Sequence, residues 1–169
     1  MPSTFLVLAD THGDLKPLKK VLRLHMGRVD AVIHLGDGID DLDRLRAGGM
    51  ALIPWEAVRG NADGFSSAPF IKVIDAAENR IMLVHGHLMG VQEGCDRVVA
   101  AAESAGANAV FFGHAHRAFW EEYSGILALC PGSLSRPRDG DSGSYAIVRA
   151  GQRGDFDVSI RRLEKRGGP

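Results

Sequence analysis

The chain has 169 residues, of which 45% are hydrophobic and 24% are charged, and its formal net charge at pH 7 is −1. This length predicts a single domain over residues 1–169. A near-neutral charge without a basic block argues against a protein that binds long nucleic acids. The apolar runs are far shorter than the ~20 residues that cross a bilayer, so we expect no membrane association.

The amino terminus and the cysteines indicate a cytoplasmic protein. The apolar run at residues 5–9 is too short for a signal peptide and lacks the order of basic, apolar and small residues that such a peptide needs. The two cysteines, Cys95 and Cys130, do not form a Cys-x-x-Cys pattern. We therefore expect two free thiols in a reducing compartment.

The start of the chain predicts alternating strands and helices. Residues 5–9 and 31–35 are apolar runs typical of buried strands, and residues 15–26 between them carry a helical apolar stripe. A strand, a helix and a strand in this order indicate a parallel pair with a right-handed crossover.

The remaining elements are predicted in the same way. Further helices are expected over residues 40–46 and 91–105, and further strands over residues 55–59, 70–74, 80–84 and 109–112. The strands at 70–74 and 80–84 should form a hairpin, because a turn-rich segment joins them. The last third favours antiparallel pairing, since its strands follow one another without helices, at residues 120–123, 126–129, 144–149 and 156–163. We expect the tail, residues 164–169, to be frayed.

Polar side chains follow five of the predicted strands, at the point where each strand ends. They are Asp10 and His12, Asp37, Asn61, His85, and His114 and His116. Ligands of open α/β sheets bind at the carboxyl ends of the strands, so we expect these side chains to lie close together. Asp37 and Asn61 on their own are more typical of turns or helix caps, but five such clusters favour a shared site.

The donor types of these side chains predict a metal site. Two carboxylates, one amide oxygen and four imidazoles, without a thiolate, suit Mn²⁺, Fe, Co²⁺, Ni²⁺ or Zn²⁺ better than Ca²⁺. Seven ligands suit two ions that share a carboxylate and lie roughly 3.5–4 Å apart. Asp10 and His12 are two residues apart, so an extended backbone past the strand end would direct both side chains to the same side. Asp10 could instead cap the next helix.

Five motifs occur in a fixed order: Asp10-x-His12, Gly36-Asp37, Gly60-Asn61, His85-Gly86 and Gly113-His114-x-His116. In order, strand context and residue types they resemble the signature of the calcineurin-like metallophosphoesterase superfamily. The compact length is similar to that of its small cap-less prokaryotic phosphodiesterases, and the match covers residues 4 to about 138. The resemblance implies an α/β fold, a four-layer α/β/β/α sandwich of two facing mixed β-sheets flanked by helices.

The resemblance also implies how the ligands divide between two divalent transition-metal ions. Asp10, His12, Asp37 and His116 would hold one ion, and Asp37, Asn61, His85 and His114 the other, with Asp37 as the bridge. Manganese is the first expectation, with iron, nickel, cobalt and zinc as alternatives. We expect hydrolysis of a phosphoric ester by a metal-bridging hydroxide, because two cations lower the pKa of a shared water.

Two positions depart from the family pattern. Many members follow the asparagine with a histidine thought to protonate the leaving group, and small members often have a cysteine there. In this chain Ala62 and Asp63 follow Asn61. Small members also commonly have Asn-Pro-Gly-Ser near the end, whereas this chain has Cys130 before Pro-Gly-Ser, which we interpret as a difference in turn or ligand support.

Three further residues are candidates for contact with the substrate. His87 lies two residues after His85 and could contact phosphate or protonate the leaving oxygen, and a purely structural histidine is an equal alternative. Arg136 and Arg138 could reach a second substituent on the phosphate, although such arginines are more often solvated. His34 is expected to pack in its strand and bond to the backbone, with support of the ligands as the alternative.

The open cleft and the missing histidine acid favour a small phosphodiester or nucleotide-like substrate. The segment between Asn61 and His85 is mostly used by two strands, so no cap domain can cover the site. A phosphomonoesterase or nucleotidase is the alternative within enzymes. A non-catalytic metal-binding scaffold is the alternative outside them, because one retromer subunit uses this fold mainly for protein binding. The filled ligand positions argue for retained metal binding, and the resemblance also suggests a homodimer.

Four aromatic side chains are expected to fill the core or the space between the sheets: Trp55, Phe111, Phe112 and Trp120. His25, on the first helix, is expected to be structural.

Overall fold

Two β-sheets and three helices make up the described part of the chain, residues 1–51 and 53–164 of a computed structural model. In chain order they are β1 (Ser3–Leu8), α1 (Leu15–His25), β2 (Ala31–His34), α2 (Asp40–Ala47), β3 (Trp55–Ala57), β4 (Ile71–Ala76), β5 (Asn79–Val84), α3 (Asp96–Ser104), β6 (Ala109–Phe112), β7 (Ala118–Tyr123), β8 (Ile126–Pro131), β9 (Ser144–Ala150) and β10 (Phe156–Arg162). Except for Glu164, the predicted frayed tail lies outside the described residues. No helix in the described part has the length and apolar character needed to span a bilayer.

Both sheets are mixed and have five strands. The first has the order β10-β9-β1-β2-β3, with β1, β2 and β3 parallel and β9 antiparallel to both β1 and β10. The second has the order β4-β5-β6-β8-β7, with β5, β6 and β8 parallel and antiparallel strands at both edges. The predicted hairpin is confirmed as β4 and β5.

Alternating side chains divide the molecule into four layers. In β1, Phe5 and Val7 belong to a core between the sheets that includes Phe111 of β6. Leu6 and Leu8 point the other way and pack with residues of α1 and α2. On the far side, the outer face of the second sheet packs against α3. The predicted four-layer α/β/β/α sandwich is therefore confirmed, and its driving force is the burial of both faces of each sheet.

The predicted helix over residues 91–105 is wrong in its first five residues, because α3 begins at Asp96. Residues 89–94 instead form turns, in which the amide of Met89 bonds to the carbonyl of Gly86 and the amide of Glu93 to that of Gly90. Val91 packs so closely on Gly86 that a Cβ at the glycine would lie 2.7 Å from the valine side chain. A tertiary contact at the end of β5 therefore overrides the helical pattern.

The prediction of antiparallel pairing in the last third is right for β7 with β8 and for β9 with β10, but wrong for β8 with β6. The strand β7 turns back at the sheet edge, and β8 then returns between β7 and β6 in the same direction as β6. The sequence of consecutive strands does not predict that β8 lies between β7 and β6, because this position depends on pairing with a strand that is not its neighbour in sequence.

One of the four aromatic predictions, that for Trp120, is wrong. Phe111 and Phe112 are buried, as expected. Trp120 is 50% exposed, because it lies on the edge strand β7. Trp55 is partly buried on the helical side of the first sheet, where the Arg46 guanidinium lies 4.7 Å from its ring centroid.

Candidate metal centre

The loops that follow β1, β2, β3, β5 and β6 meet at one edge of the sandwich. The amides of Asp10 and His12, after β1, bond to the carbonyls of Gly36 and Asp37, after β2, both at 3.0 Å. In the second sheet, the amide of Gly113 bonds to the carbonyl of His85 at 3.1 Å. The polar residues of these loops are therefore brought together by neighbouring parallel strands.

Six of the seven predicted ligands form two groups. Asp10, His12 and His116 each offer one ligand atom, and these atoms lie within 4.8 Å of one another; Asp37, His85 and His114 form a second such group. Both groups combine a carboxylate with two imidazoles, the donor set that first-row transition metals accept.

Asp37 lies between the two groups. Its Oδ2 is 3.4 Å from Nε2 of His85 in its own group and 3.8 Å from Nε2 of His12 in the other. The Asp10 Oδ1 is similarly 3.1 Å from Nε2 of His116 and 3.9 Å from Nε2 of His85. One oxygen of each carboxylate therefore faces the space that the imidazoles share.

The donor atoms that face this space suit cations. Asp10 Oδ1, His12 Nε2 and His85 Nε2 are buried and make no hydrogen bond to any described residue. Nδ1 of His85 donates to the carbonyl of Leu35 at 2.6 Å, so the neutral ring directs the lone pair of Nε2 at the carboxylates. An imidazole lone pair and a carboxylate oxygen that face each other are both electron-rich, and they repel unless a cation lies between them. The residues present therefore fit divalent metal ions.

His116, the second histidine of the Gly-His-x-His motif, is oriented in the same way as His85, by a bond from Nδ1 to a backbone carbonyl. Nδ1 of His116 donates to the carbonyl of Arg136 at 2.7 Å, which leaves Nε2 directed at Asp10. Burial lowers the pKa of His116, but the Asp10 carboxylate and the Arg136 carbonyl outweigh it and the pKa is raised. The Asp10 carboxylate therefore favours a positive charge beside it.

Asp37 is ionised. Burial raises the pKa of its carboxyl group, but His85, the Ala62 amide and His12 outweigh burial and lower the pKa to about 2. The Ala62 amide donates to Oδ1 at 2.8 Å, which leaves Oδ2 for the imidazoles. The residue that departs from the family pattern thus supports Asp37 through its backbone.

Five of the candidate ligands have left-handed backbones. Asp10 has a φ of 55°, His12 of 46°, Asp37 of 58°, His114 of 64° and His116 of 57°. The expected extended backbone past β1 is therefore wrong. Non-glycine residues in this region cost roughly 1–3 kcal/mol each and persist only where the surroundings hold them. The strain is thus concentrated on the residues that converge at the centre.

The surroundings that hold the loops include residues that sequence reasoning missed. Asp63 is buried, and its Oδ2 accepts from the amides of Asp37 at 2.7 Å and Gly60 at 2.8 Å, while its Oδ1 accepts from Gly38 at 2.8 Å. The hydroxyl of Ser133 donates to the carbonyl of Asp10 at 2.9 Å. The available signal for Asp63 was its place in a Gly-rich loop beside a motif, which is equally typical of an ordinary turn.

A second set of buried bonds joins the loop after β1 to α2. Nδ1 of His34 accepts from the amide of Gly36, so Nε2 carries the proton and donates to Thr11 Oγ1 at 3.1 Å. The Thr11 hydroxyl donates in turn to Asp41 at 2.7 Å. The predicted packing of His34 with a backbone bond is confirmed. Its bonds to Gly36 and Thr11 also connect the loops that carry Asp37 and Asp10.

The remaining predicted site residues lie at different distances from the two groups. Asn61 is exposed and directly precedes Ala62, whose amide bonds to Asp37. The His87 ring centroid is 5.4 Å from that of His85 and 6.2 Å from that of His114. Its Nδ1 is buried and makes no hydrogen bond to a described residue.

The two arginines are separated. Arg136 lines a cleft of about 350 Å³ beside the centre, together with His12 and Asp37. Arg138 lines another cavity, with Cys95 and Phe119 among its neighbours. The geometry therefore supports a substrate contact for Arg136 more than for Arg138, whose role stays a prediction.

Comparisons with known proteins agree with this geometry. A family model described as the calcineurin-like phosphoesterase superfamily domain matches residues 4–153. The chain belongs to this family. A Bacillus subtilis (strain 168) protein named probable metallophosphoesterase YsnB is 34% identical over 143 residues, which is 85% of this chain and 82% of that protein.

Solved structures show the same fold. A conserved protein of Streptococcus pneumoniae TIGR4, described as a predicted phosphoesterase, has a TM-score of 0.78 and 27% identity, over 96% of this chain and 90% of that one. Vps29 of Chaetomium thermophilum has a TM-score of 0.72 and 21% identity, over 95% of each chain. The latter likeness concerns the fold alone.

Proposed function

We propose that the protein is a phosphodiesterase that depends on two divalent metal ions. The observation that carries the proposal is the position of Asp37 Oδ2, within 4 Å of one imidazole of each ligand group. An oxygen placed in this way could be shared by two ions, and two-metal sites hold their ions roughly 3.5–4 Å apart. Membership of the phosphoesterase family supports the reaction class.

The proposed ligand sets follow the two groups. Asp10, His12 and His116 would hold one ion and Asn61, His85 and His114 the other, with Asp37 shared by both. Manganese is the proposed ion, and iron, nickel, cobalt and zinc suit the same donors. When bound, two such ions supply a water of lowered pKa and neutralise charge on the phosphoryl oxygens.

The protein groups would orient the ester. Arg136 lies in the cleft beside His12 and Asp37, where its guanidinium can donate two hydrogen bonds to non-bridging phosphate oxygens. His87 lies against His85 and His114, and its imidazole is the proposed contact for the leaving oxygen.

A diester is preferred because the cleft is open and no cap covers it. Phe65 at its margin is fully exposed, so the cleft can admit a second substituent. A phosphomonoesterase or nucleotidase is the alternative activity. A metal-binding scaffold without catalysis is the alternative function, and Vps29 has the same fold.

The proposed setting is the cytoplasm, because both cysteines are free and buried, as expected in a reducing compartment. A homodimer and the lack of affinity for long nucleic acids stay predictions.

The test is turnover of two chromogenic esters by purified protein that has been stripped with chelator and reloaded with one metal at a time. Bis(p-nitrophenyl) phosphate should have the higher kcat/KM in the presence of Mn²⁺, and Asp37→Ala should be inactive. Asp75→Ala, which removes an exposed carboxylate of β4, is the matched control and should retain activity.

Two outcomes would contradict the proposal. A higher kcat/KM for p-nitrophenyl phosphate would identify a phosphomonoesterase. Binding of two metal ions without turnover of either ester, for every first-row metal, would identify a scaffold.

A further inference from the structure

A second cavity, of about 450 Å³, lies on the outer face of the first sheet, between the end of α1 and the strands β9 and β10. None of the candidate metal ligands lines it. It includes Arg28 and Val29, which precede β2, whereas the metal centre follows the carboxyl ends of β1 and β2. Its volume is within the range of small-molecule sites.

The alternation of β9 and β10 builds one wall of this cavity. Tyr145, Ile147 and Arg149 project from β9, and directly opposite them in the antiparallel register are Arg161, Ser159 and Asp157 of β10. Because successive strand residues point to opposite faces, all six side chains lie on the same side of the sheet. Leu24 and His25 at the end of α1 form the facing wall.

The charges that line the cavity are unbalanced. Arg28, Arg149 and Arg161 line it, and none of them makes an ion pair with a described residue, whereas Arg44 and Arg162 elsewhere bond to Asp41 and Asp139. Asp157 is the one carboxylate among the described lining residues, so two positive charges remain unmatched. Three guanidinium groups around one concave space create a positive potential that attracts anions.

A pair of hydrogen-bonding side chains also lines the cavity. His25 Nε2 lies 3.1 Å from the hydroxyl of Tyr145, which is buried. Burial and the positive charges of Arg28 and Arg161 lower the pKa of His25. The two arginines are therefore close enough to the ring for their charges to act on it, and an anion between them would reverse the effect.

We propose that this cavity binds the phosphate group of a small phosphorylated molecule. The guanidinium groups of Arg28, Arg149 and Arg161 would match the charge of a phosphate dianion and donate paired hydrogen bonds to its oxygens. Leu24 and Ile147 offer an apolar surface for the rest of the ligand. The site is separate from the metal centre and does not depend on the proposed hydrolytic activity.

The test measures the pKa of His25 by NMR in the full-length chain, with and without Zn²⁺, at constant ionic strength. Inorganic phosphate and phenylphosphonate, which has no hydrolysable ester bond, are the probes. Each should produce a saturable shift of the His25 ring signals and raise its pKa by about one unit, because a bound dianion favours the imidazolium. Phosphate bound at the metal centre leaves His25 unaffected, so the readout is specific.

Variants assign the effect to the arginines. Arg28→Gln combined with Arg161→Gln should remove at least about nine-tenths of the affinity, since charge-assisted bonds supply it. Arg97→Gln combined with Arg153→Gln removes the same charge from exposed positions on α3 and in the β9–β10 turn, and should leave binding unchanged. Tighter binding of phenylphosphonate than of phosphate would indicate an organic ligand, and equal binding would indicate free phosphate.

Three results would overturn the proposal. The first is the absence of a saturable shift with either probe. The second is an equal rise of the His25 pKa with chloride, which would reflect screening alone. The third is an equal loss of binding in the control variant.

Discussion

Asp37 is a carboxylate that faces imidazoles of both ligand groups. Its Oδ1 bonds to the Ala62 amide, and its Oδ2 faces His12 and His85 of the two ligand groups. If Asp37 is shared by two ions as proposed, its loss leaves both with incomplete coordination, whereas the loss of any other ligand affects one ion.

This difference predicts separate outcomes for two substitutions. Asp37→Ala should abolish tight binding of both ions, whereas Asn61→Ala should weaken one of them by about tenfold or more, since it removes one neutral ligand. Calorimetric titration of stripped protein with Mn²⁺ counts the sites. Asp75→Ala is the control, and two tight sites in Asp37→Ala would show that the bridge is assigned to the wrong residue.

His87 can be distinguished as an acid or as a structural histidine by the choice of substrate. His87→Ala should lower kcat most for diesters with poor leaving groups, such as alkyl phosphates, and by less than about threefold for nitrophenyl esters, which leave without protonation. The comparison of kcat for the two substrate types is the measurement. An equal loss for both would instead assign His87 to binding or to structure.

At the scale of elements, the strand-end loops are held in place by close backbone approach. A Cβ on Gly60 would lie 2.1 Å from Asp37 Oδ1, and one on Gly36 would lie 2.7 Å from Nδ1 of His85. The loops after β2 and β3 can therefore meet only where neither carries a side chain.

Gly60→Ala should consequently displace Asp37 and weaken the binding of metal. We expect a loss of at least about 2 kcal/mol in the free energy of unfolding of the metal-loaded protein, because overpacking and the loss of a ligand add. Gly64→Ala in the same loop is the control, since its Cβ would meet no atom within 4 Å. Equal effects of the two substitutions, measured by denaturant unfolding and metal titration, would contradict the role of Gly60.

At the scale of the whole molecule, buried histidines couple stability to pH. Burial lowers the pKa of His34 from 6.5 to about 4. As the pH falls from 6.5 towards 4, the unfolded chain takes up a proton that the folded chain refuses, so the folded state loses stability. The shift corresponds to a loss on the order of 3 kcal/mol at pH 4. His85 and His116, whose pKa values are raised, act in the opposite direction.

The contribution of His34 is isolated by comparison with His34→Gln in the presence of chelator. The difference in the free energy of unfolding between the two proteins should shrink as the pH is lowered from 6.5 to 4, because the variant has no imidazole to protonate. Denaturant unfolding at several pH values measures it. Parallel pH profiles would show that His34 is not held neutral by the fold.

Metal ions should also stabilise the whole chain. Ions that bind only the folded state add about 4 kcal/mol per site at a thousand times their Kd. Chelation should therefore lower the Tm of the wild-type protein by several degrees and leave the Tm of Asp37→Ala unchanged. A wild-type Tm that does not respond to chelator in differential scanning calorimetry would contradict a folded-state metal centre.

The sequence by itself predicted six donors that the structure brings together and the order in which the chain supplies them. Asp10, Asp37 and His85 each follow a short apolar run, and both the strand and the polar residue that ends it are encoded within about ten residues. The resemblance of the motifs implied the four-layer fold, whereas the apolar patterns alone predicted only the strands, the helices and some of their pairings. Element ends, such as the late start of α3, were less predictable because distant contacts set them.

Only the tertiary structure decided how these donors are held. The left-handed backbones of Asp10 and Asp37 are unfavourable locally and persist because Ser133 and Asp63, from distant parts of the chain, bond to their peptide groups. The arginine-lined cavity likewise joins α1, β9 and β10, which are far apart in sequence. Local sequence patterns encode the secondary structure and the side chains of each segment. Contacts between distant segments determine how those side chains are oriented.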